Sequence, residues 1–224
     1  MGINQKKVLI TGANSGIGNA LAQKLIEEGY FVIGTSRNGK IENINSEHLF
    51  VIELDITNEE SIKNANLLIR SEFNGIDILV NNAGIAPDLD TTSINMGSMK
   101  ATFDTNVFGL VNFTETILDC VNDGGQIINI SSIMGTLNRI TNIDSTAYRM
   151  SKIAVNMYTK ALSAKLLNQI KVISFHPGWV QTKLATDFAP LTPEFSANGI
   201  FSLIEKDLPT GSFWNAETQE EMVW

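Results

Sequence analysis

The sequence predicts an α/β chain built as a single doubly wound, mainly parallel seven-stranded sheet with helices on both faces. Short apolar runs rich in Val, Ile and Phe recur: "KVLIT", "YFVIGTS", "LFVIELD", "IDILVNN", "GQIINIS" and "IKVISF", joined later by "GSFWN". They are apolar at consecutive positions, as strands covered on both faces are. Segments of helical period separate most of them. That alternation leads to a parallel sheet with right-handed crossovers and a helical layer on each side.

The first strand runs into "TGANSGIGNA", and the following "GIGNALAQKLIEE" places Ile17, Leu21 and Leu25 on one helix face, with Ala20 and the stem of Lys24 beside them. After the third strand, "TNEESIKNANLLIRSEF" offers Thr57 or Asn58 as N-cap, and its acidic first turn suits the helix dipole. The segments from Ser98 to Val121 and from Thr146 to Leu167 are the longest expected helices, each substantially buried or paired with a second subunit. "TPEFSANGIFSLIEKDL" supplies one more helix before the last strand. Nothing marks a second domain, so residues 1–224 read as one unit with an irregular stretch from Gln181 to Pro190. A short substrate lid is expected near residues 181–196.

At 224 residues, with 43% hydrophobic and 18% charged residues, the chain has the balance of a globular protein with a real core. A net charge of −8 leaves no surplus of Lys and Arg for a phosphate backbone, so small molecules are expected as partners and nucleic acid is not. The lone Cys120 has no internal disulfide partner. The apolar run of "MGINQKKVLITGANSGIG" is broken by glycines before a signal sequence develops. No run reaches the ~18 apolar residues that span a bilayer. Lys6 stands where a myristoylation signal wants Ser or Thr. A cytoplasmic protein without membrane attachment is the expectation.

Gly12, Gly16 and Gly18 fall at the junction of the first strand and helix in a G-x-x-x-G-x-G spacing. Glycines there permit a tight turn and let backbone N–H groups and the positive helix end approach a pyrophosphate. Glycines serving the turn's conformation alone are the plain alternative. Roughly 20 residues beyond, where a carboxylate would bind the 2′-hydroxyl of NAD, the sequence reads "IGTSRN". Ser36 and Arg37 stand there, and the planar fork of arginine suits a 2′-phosphate. NADP(H) is therefore expected in preference to NAD(H), the alternative being that Arg37 is a solvated loop residue.

With "TGANSGIG", "NNAG" at Asn81 to Gly84, "YRMSK" at Tyr148 to Lys152 and "PGWVQT" from Pro177, the chain resembles the short-chain dehydrogenase/reductase family over almost its whole length. The stretches "YRMSKIAVNMYTKALS" and "FHPGWVQTKL" look most like the sniffer and C-factor type of carbonyl reductases. The resemblance implies a single-domain Rossmann fold and hydride transfer between nicotinamide and a carbonyl or alcohol of a small molecule. It also implies a homodimer or homotetramer. For cofactor binding it implies Gly12, Ser15, Gly16, Ile17 and Gly18 at the glycine turn, then Asp55 and Ile56 at the adenine. Asn82, Ala83 and Gly84 would lie along the cofactor, and Pro177, Gly178, Val180 and Thr182 would hold the nicotinamide end. The implied catalytic set is Asn106, Ser132, Tyr148 and Lys152, with Tyr148 and Lys152 also touching the cofactor. Of the two serines in "NISSIMG", the family pattern selects Ser132, with Ser131 supporting.

These residue types suit the implied chemistry. Tyrosine can deliver a proton to a developing alkoxide, but its ordinary pKa of about 10 is high for exchange near neutrality. Lys152, one helical turn on, is expected to lower it, and Ser132 to hydrogen-bond the substrate oxygen. Asn106 is expected, from the resemblance, to steady a water and Lys152. In isolation the tyrosine and lysine would be a surface pair contributing a few tenths of a kcal/mol. Ser132 and Tyr148 lie 16 positions apart, a longer separation than the family's usual one, so "GTLNRITNIDSTA" is expected to shape the substrate mouth. His48 and His176 have no ligand-spaced partners and no metal is expected. Phe213, Trp214 and Trp224 are expected in packing or an interface. Two rivals remain: a non-catalytic nucleotide-binding regulatory protein of the same fold, and a nucleotide-sugar lyase or epimerase, for whose substrate domain the chain has no room.

Overall fold

Burial on both faces of the inner strands favours a parallel, central sheet. The computed structural model describes residues 5–139, 144–167, 169–185 and 188–224. Strands β1 (Lys7–Ile10), β2 (Phe31–Ser36), β3 (Leu49–Glu53), β4 (Ile76–Asn81), β5 (Val121–Ile130), β6 (Lys171–His176) and β7 (Phe213–Asn215) form one sheet in the order β3-β2-β1-β4-β5-β6-β7. All six pairings are parallel.

The period of two sorts the strand side chains between two cores. Val8, Ile10, Val80, Ile128 and Phe175 pack with Leu21 and Leu25 of α1 (Gly16–Glu27) and with Ile200 and Leu203 of α6 (Pro193–Ile204). Leu9, Ile33, Leu79, Ile127 and Val172 face the other way. They meet Ile62 and Ile69 of α2 (Glu59–Glu72), Phe113 and Ile117 of α4 (Leu110–Ile117), and Leu162 of α5 (Thr146–Lys165). Strand order reverses between β1 and β4, and the crevice outside the carboxyl ends of these strands is where a doubly wound sheet binds ligands.

The long segment expected as one helix from Ser98 to Val121 is four pieces. Helix α3 (Met96–Phe103) passes into a π turn at Asp104–Gly109, then α4, then a 3-10 turn at Leu118–Cys120, and Val121 already belongs to β5. Gly109 explains part of this: a Cβ there would lie 2.6 Å from the carbonyl of Ile56, so the helix and the loop after β3 meet backbone to backbone. Of the two expected N-caps of α2, Asn58 caps, accepting from Ser61 N at 3.0 Å.

The sequence expects the core face of α5 to include Ile153 and Met157, and the structure differs. Val155, Thr159 and Leu162 point inward, Met157 is 68% exposed and Ile153 is half-buried. Phe213 stacks on Trp224 with centroids 5.4 Å apart, and Trp214 Nε1 donates to Ser212 Oγ at 2.8 Å. Among the described residues no helix is long and apolar enough to cross a membrane, and no group of three His, Cys, Asp or Glu is placed to hold a metal.

Candidate active site

The glycine turn is shaped as its residues demand. Gly12 and Gly16 have φ of 69° and 57°, the left-handed region that disfavours a side chain. Gly18 has no room instead: a Cβ would lie 2.4 Å from Asn82 Nδ2 and 2.5 Å from the Gly12 carbonyl. Ser15 precedes α1 in extended conformation and makes no side-chain cap, so the first N–H groups of the helix keep no capping partner from it.

The "NNAG" segment braces this turn. Thr11 Oγ1 accepts from the N–H groups of Asn82 and Ala83, each at 3.0 Å, while Asn82 Nδ2 donates to the carbonyls of Thr11 and Gly12 at 2.9 and 3.2 Å. Asn81 points the other way, donating to Thr114 Oγ1 and Asn129 Oδ1, both at 2.9 Å.

Two adjoining cavities open along the carboxyl ends of the strands. The first, about 430 Å³, is walled by Gly12, Ser15, Gly16 and Ile17 on one side and by Ser36, Arg37, Asp55 and Ile56 on the other, with Asn82, Ala83 and Gly84 between. The Ser36 hydroxyl is committed to its own turn, accepting from Lys40 N at 2.8 Å. The Asp55 carboxylate accepts from Thr57 N and Thr57 Oγ1 at 2.9 and 2.7 Å. Arg37 is exposed and forms no salt bridge among the described residues.

The second cavity, about 480 Å³, holds Ser132, Tyr148 and Lys152 together with Pro177, Gly178 and Val180. Ile17, Asn82, Gly84, Thr182 and Leu184 border both, so the two form one trough. The uncapped start of α1 among Gly12, Ser15 and Gly16 in its wall fits the phosphates of a dinucleotide. The Thr182 methyl would lie 3.1 Å from a Cβ at Gly16, which ties the segment after β6 to the glycine turn.

Ser132 lies just beyond β5, Tyr148 and Lys152 in the first two turns of α5. The Tyr148 hydroxyl is hydrogen-bonded to Ser132, and Lys152 Nζ lies 5.5 Å from the tyrosine ring centroid. Burial dominates both titrations. It pushes Lys152 down to about 8, and it pushes Tyr148 up to about 12 against the lowering effect of Ser132. Lys152 Nζ also donates to the Ile130 carbonyl at 2.8 Å, and the lowering effect on Tyr148 comes from Ser132. Ser131, by contrast with its neighbour, bonds inward, donating to Asn156 Oδ1 at 2.6 Å.

Two expected residues stand behind the walls. Gly18 is under the turn, and Asn106 lies on the π turn outside the lining of either cavity. Its side chain is engaged: Oδ1 accepts from Ile85 N at 2.8 Å, and Nδ2 donates to Ile85 O at 2.8 Å and to Ser151 Oγ at 3.1 Å. Oδ1 keeps a second lone pair, while both Nδ2 hydrogens are committed. These bonds tie the loop after β4 to α5.

The mouth contains residues that the motifs did not announce. Leu89, Ile133, Met134, Trp179 and Leu184 give it apolar walls, and Arg149 lies at its edge. Arg149 donates to Asp144 through Nε to the carbonyl at 2.9 Å and Nη2 to Oδ1 at 3.1 Å. Asn156, one turn after Lys152 on the same helix face, lies behind the lining and braces it, accepting from Ser131 Oγ at 2.6 Å and donating to the Gly135 carbonyl at 3.0 Å. Residues 140–143 of the expected mouth loop, and Thr186 and Asp187 of the expected lid, lie outside the described residues.

Known proteins are similar to this chain in sequence and in fold. A farnesol dehydrogenase of Aedes aegypti is 31% identical over 218 residues, covering 90% of this chain and 85% of that protein. Among solved structures, the carbonyl reductase Sniffer of D. melanogaster superposes with a TM-score of 0.89 at 28% identity, covering 99% of this chain and 100% of the other. A short-chain dehydrogenase/reductase from Burkholderia multivorans with bound NADP gives a TM-score of 0.89 at 26% identity over the same shares. The family profile for short chain dehydrogenases matches residues 6–190. With that match over most of its length, the chain belongs to the short-chain dehydrogenase family of oxidoreductases.

Proposed function

We propose that the protein is an NADP(H)-dependent carbonyl reductase acting on small molecules with apolar bodies. The observation that carries this reading is the meeting of Ser132, Tyr148 and Lys152 in a cleft continuous with the glycine-turn trough. Gly12, Ser15, Gly16, Asp55 and Asn82 would hold the dinucleotide along the trough, with Arg37 toward a 2′-phosphate and Pro177, Gly178, Val180 and Thr182 at the nicotinamide. When bound there, the cofactor supplies the hydride. Ser132 donates a hydrogen bond to the substrate oxygen and holds it beside Tyr148, whose hydroxyl proton passes to that oxygen as negative charge develops. A charged Lys152 favours the phenolate left behind, and its depressed pKa puts its own proton within reach of exchange near neutral pH.

The walls set by Leu89, Ile133, Met134, Trp179 and Leu184 favour apolar substituents on the carbonyl, in keeping with the names of the farnesol dehydrogenase and carbonyl reductase relatives. The same reading carries a cytoplasmic homodimer or homotetramer. Phe108, Met150 and Met157, exposed at 62%, 44% and 68%, are apolar surface that such an assembly would cover. The regulatory alternative predicts nucleotide binding without turnover.

NADPH oxidation against aldehydes, ketones and quinones tests the proposal, with Tyr148→Phe as its control. Loss of about 10³-fold or more in kcat, with NADPH binding kept, is the expected result for a removed proton donor. Turnover retained by Tyr148→Phe would refute the assignment, and a wild-type chain that binds NADPH yet reduces none of the panel would favour the regulatory reading.

A further inference from the structure

We propose that Asp88 is a positioning residue, which sets the place of Tyr148 by capping α5 from the loop on the opposite wall of the cleft. The proposal rests on Tyr148 being the proton donor of a carbonyl reduction. Helix α5 starts without a cap of its own. Ser145, at the N-cap position, has φ 55° and ψ 37°, a left-handed conformation, and its side chain caps nothing. Its hydroxyl instead accepts from Asp90 N at 3.0 Å, and its N–H donates to the Thr91 carbonyl at 3.0 Å.

The cap comes from 59 residues away. Asp88 Oδ2 accepts from Ala147 N at 2.7 Å and from Tyr148 N at 3.4 Å, so one carboxylate oxygen holds the backbone of the tyrosine and of its neighbour. A serine in the usual extended N-cap conformation would satisfy the same N–H groups locally. Here two non-glycine residues, Asp90 at φ 58° and Ser145 at φ 55°, take left-handed conformations so that loop and helix can exchange bonds. Asp88 is only 7% exposed, and its Oδ1 has no hydrogen-bond partner among the described residues. A buried carboxylate that is only half satisfied asks for an explanation beyond stability.

Geometry supplies one. Ala86, Leu89 and Asp90 of the same loop line the cleft, and Asn106 ties Ile85, at the loop's start, to Ser151 of α5. The loop is thus bonded to α5 at its start through Asn106 and at Asp88 directly, and the cleft wall and the tyrosine share one frame. A proton donor displaced by about 1 Å loses about a hundredfold in rate, so the frame matters to chemistry more than to binding.

The test uses the full chain, saturating NADPH and a carbonyl that the wild type reduces. Asp88→Ala is expected to lower kcat by about tenfold or more while the Kd for NADPH changes by less than about twofold, because the trough is untouched. Asp88→Asn keeps an acceptor for both N–H groups and is expected to restore kcat to within about threefold of wild type. Asp88→Ala that melts earlier but keeps its kcat would overturn the proposal, as would Asp88→Asn impaired as severely as Asp88→Ala. Should Asp88→Ala fail to fold, Ser145→Ala, which removes the acceptor of Asp90 N, decides the matter: a fall in kcat of about threefold at unchanged NADPH affinity supports the frame, and an unchanged kcat overturns it. A wild type that reduces no carbonyl would count against the reductase reading instead.

Discussion

Arg37 is the residue on which cofactor choice is argued. It follows β2 at the wall of the dinucleotide trough, exposed and without a salt bridge among the described residues, so its fork is available to a 2′-phosphate. Arg37→Ala is expected to raise the Kd for NADPH by about tenfold or more, the worth of a charge-assisted pair, and to leave the Kd for NADH unchanged. Equal shifts for the two nucleotides, measured by fluorescence titration, would remove Arg37 from cofactor selection. At this scale, legibility followed chemistry. Tyr148, Lys152 and Ser132 were legible through the family resemblance, since in isolation the tyrosine and lysine read as a surface pair, and they share one cleft. Asp88 and Arg149 stayed hidden because their partners are set by tertiary contact and by the start of a helix. Sequence gives the spacing of Tyr148 and Lys152 but not their depth, and burial is what moves both titrations most.

Between elements, the sheet is stitched to its helices by a buried polar ladder. Asn81 on β4 donates to Asn129 on β5, Asn129 donates to Thr159 Oγ1 on α5, each at 2.9 Å, and Thr159 meets Ser174 Oγ on β6 at 2.8 Å. Thr114 on α4 completes it through Asn81. Asn81, Asn129, Thr159 and Ser174 are all buried, so removing a central member strands its partners without water. Asn129→Ala is expected to cost about 2 kcal/mol, seen as a fall in Tm of about 4–8 °C. An unchanged Tm would mean that the ladder contributes nothing net. Strand and helix identities were legible from apolar runs and periodicity. The break of the segment after Ser98 into α3, a π turn and α4 was not, because a π turn keeps the helical pattern of side chains while changing backbone pairing. The capping of α2 by Asn58 rather than Thr57 was also open in sequence, since the hydroxyl of Thr57 had an equal claim until Asp55 took it.

For the molecule as a whole, the buried Lys152 links stability to pH. Its pKa of about 8 in the folded chain is below its ordinary 10.5, so between these values the unfolded chain binds more protons than the folded one. Stability therefore rises with pH across that window. Tyr148 acts in the opposite sense at higher pH: raised from 10.0 to about 12, it keeps a proton that the unfolded chain has lost, and stability falls. Lys152→Met removes the first effect. The stability difference, wild type minus variant, is expected to grow by about 2 kcal/mol between pH 8 and 10 in denaturant titrations, and parallel curves would show that burial does not depress Lys152. The parallel, doubly wound architecture was legible almost entire, because apolar-on-both-faces strands admit few other arrangements. The depth of the cleft was not, since it depends on how loops from four strands come together.

The short strand β7 has one more consequence. Asn215 N donates to the Glu220 carbonyl at 2.9 Å, Met222 N to the Phe213 carbonyl at 2.6 Å, and Trp224 stacks on Phe213. The chain thus folds its own residues 220–224 back over the rim of the sheet, hiding amide and carbonyl groups that would otherwise recruit a strand from a neighbouring molecule. Removing those five residues would uncover a sticky margin, so the segment guards against aggregation while lying on the opposite flank of the sheet from Arg37.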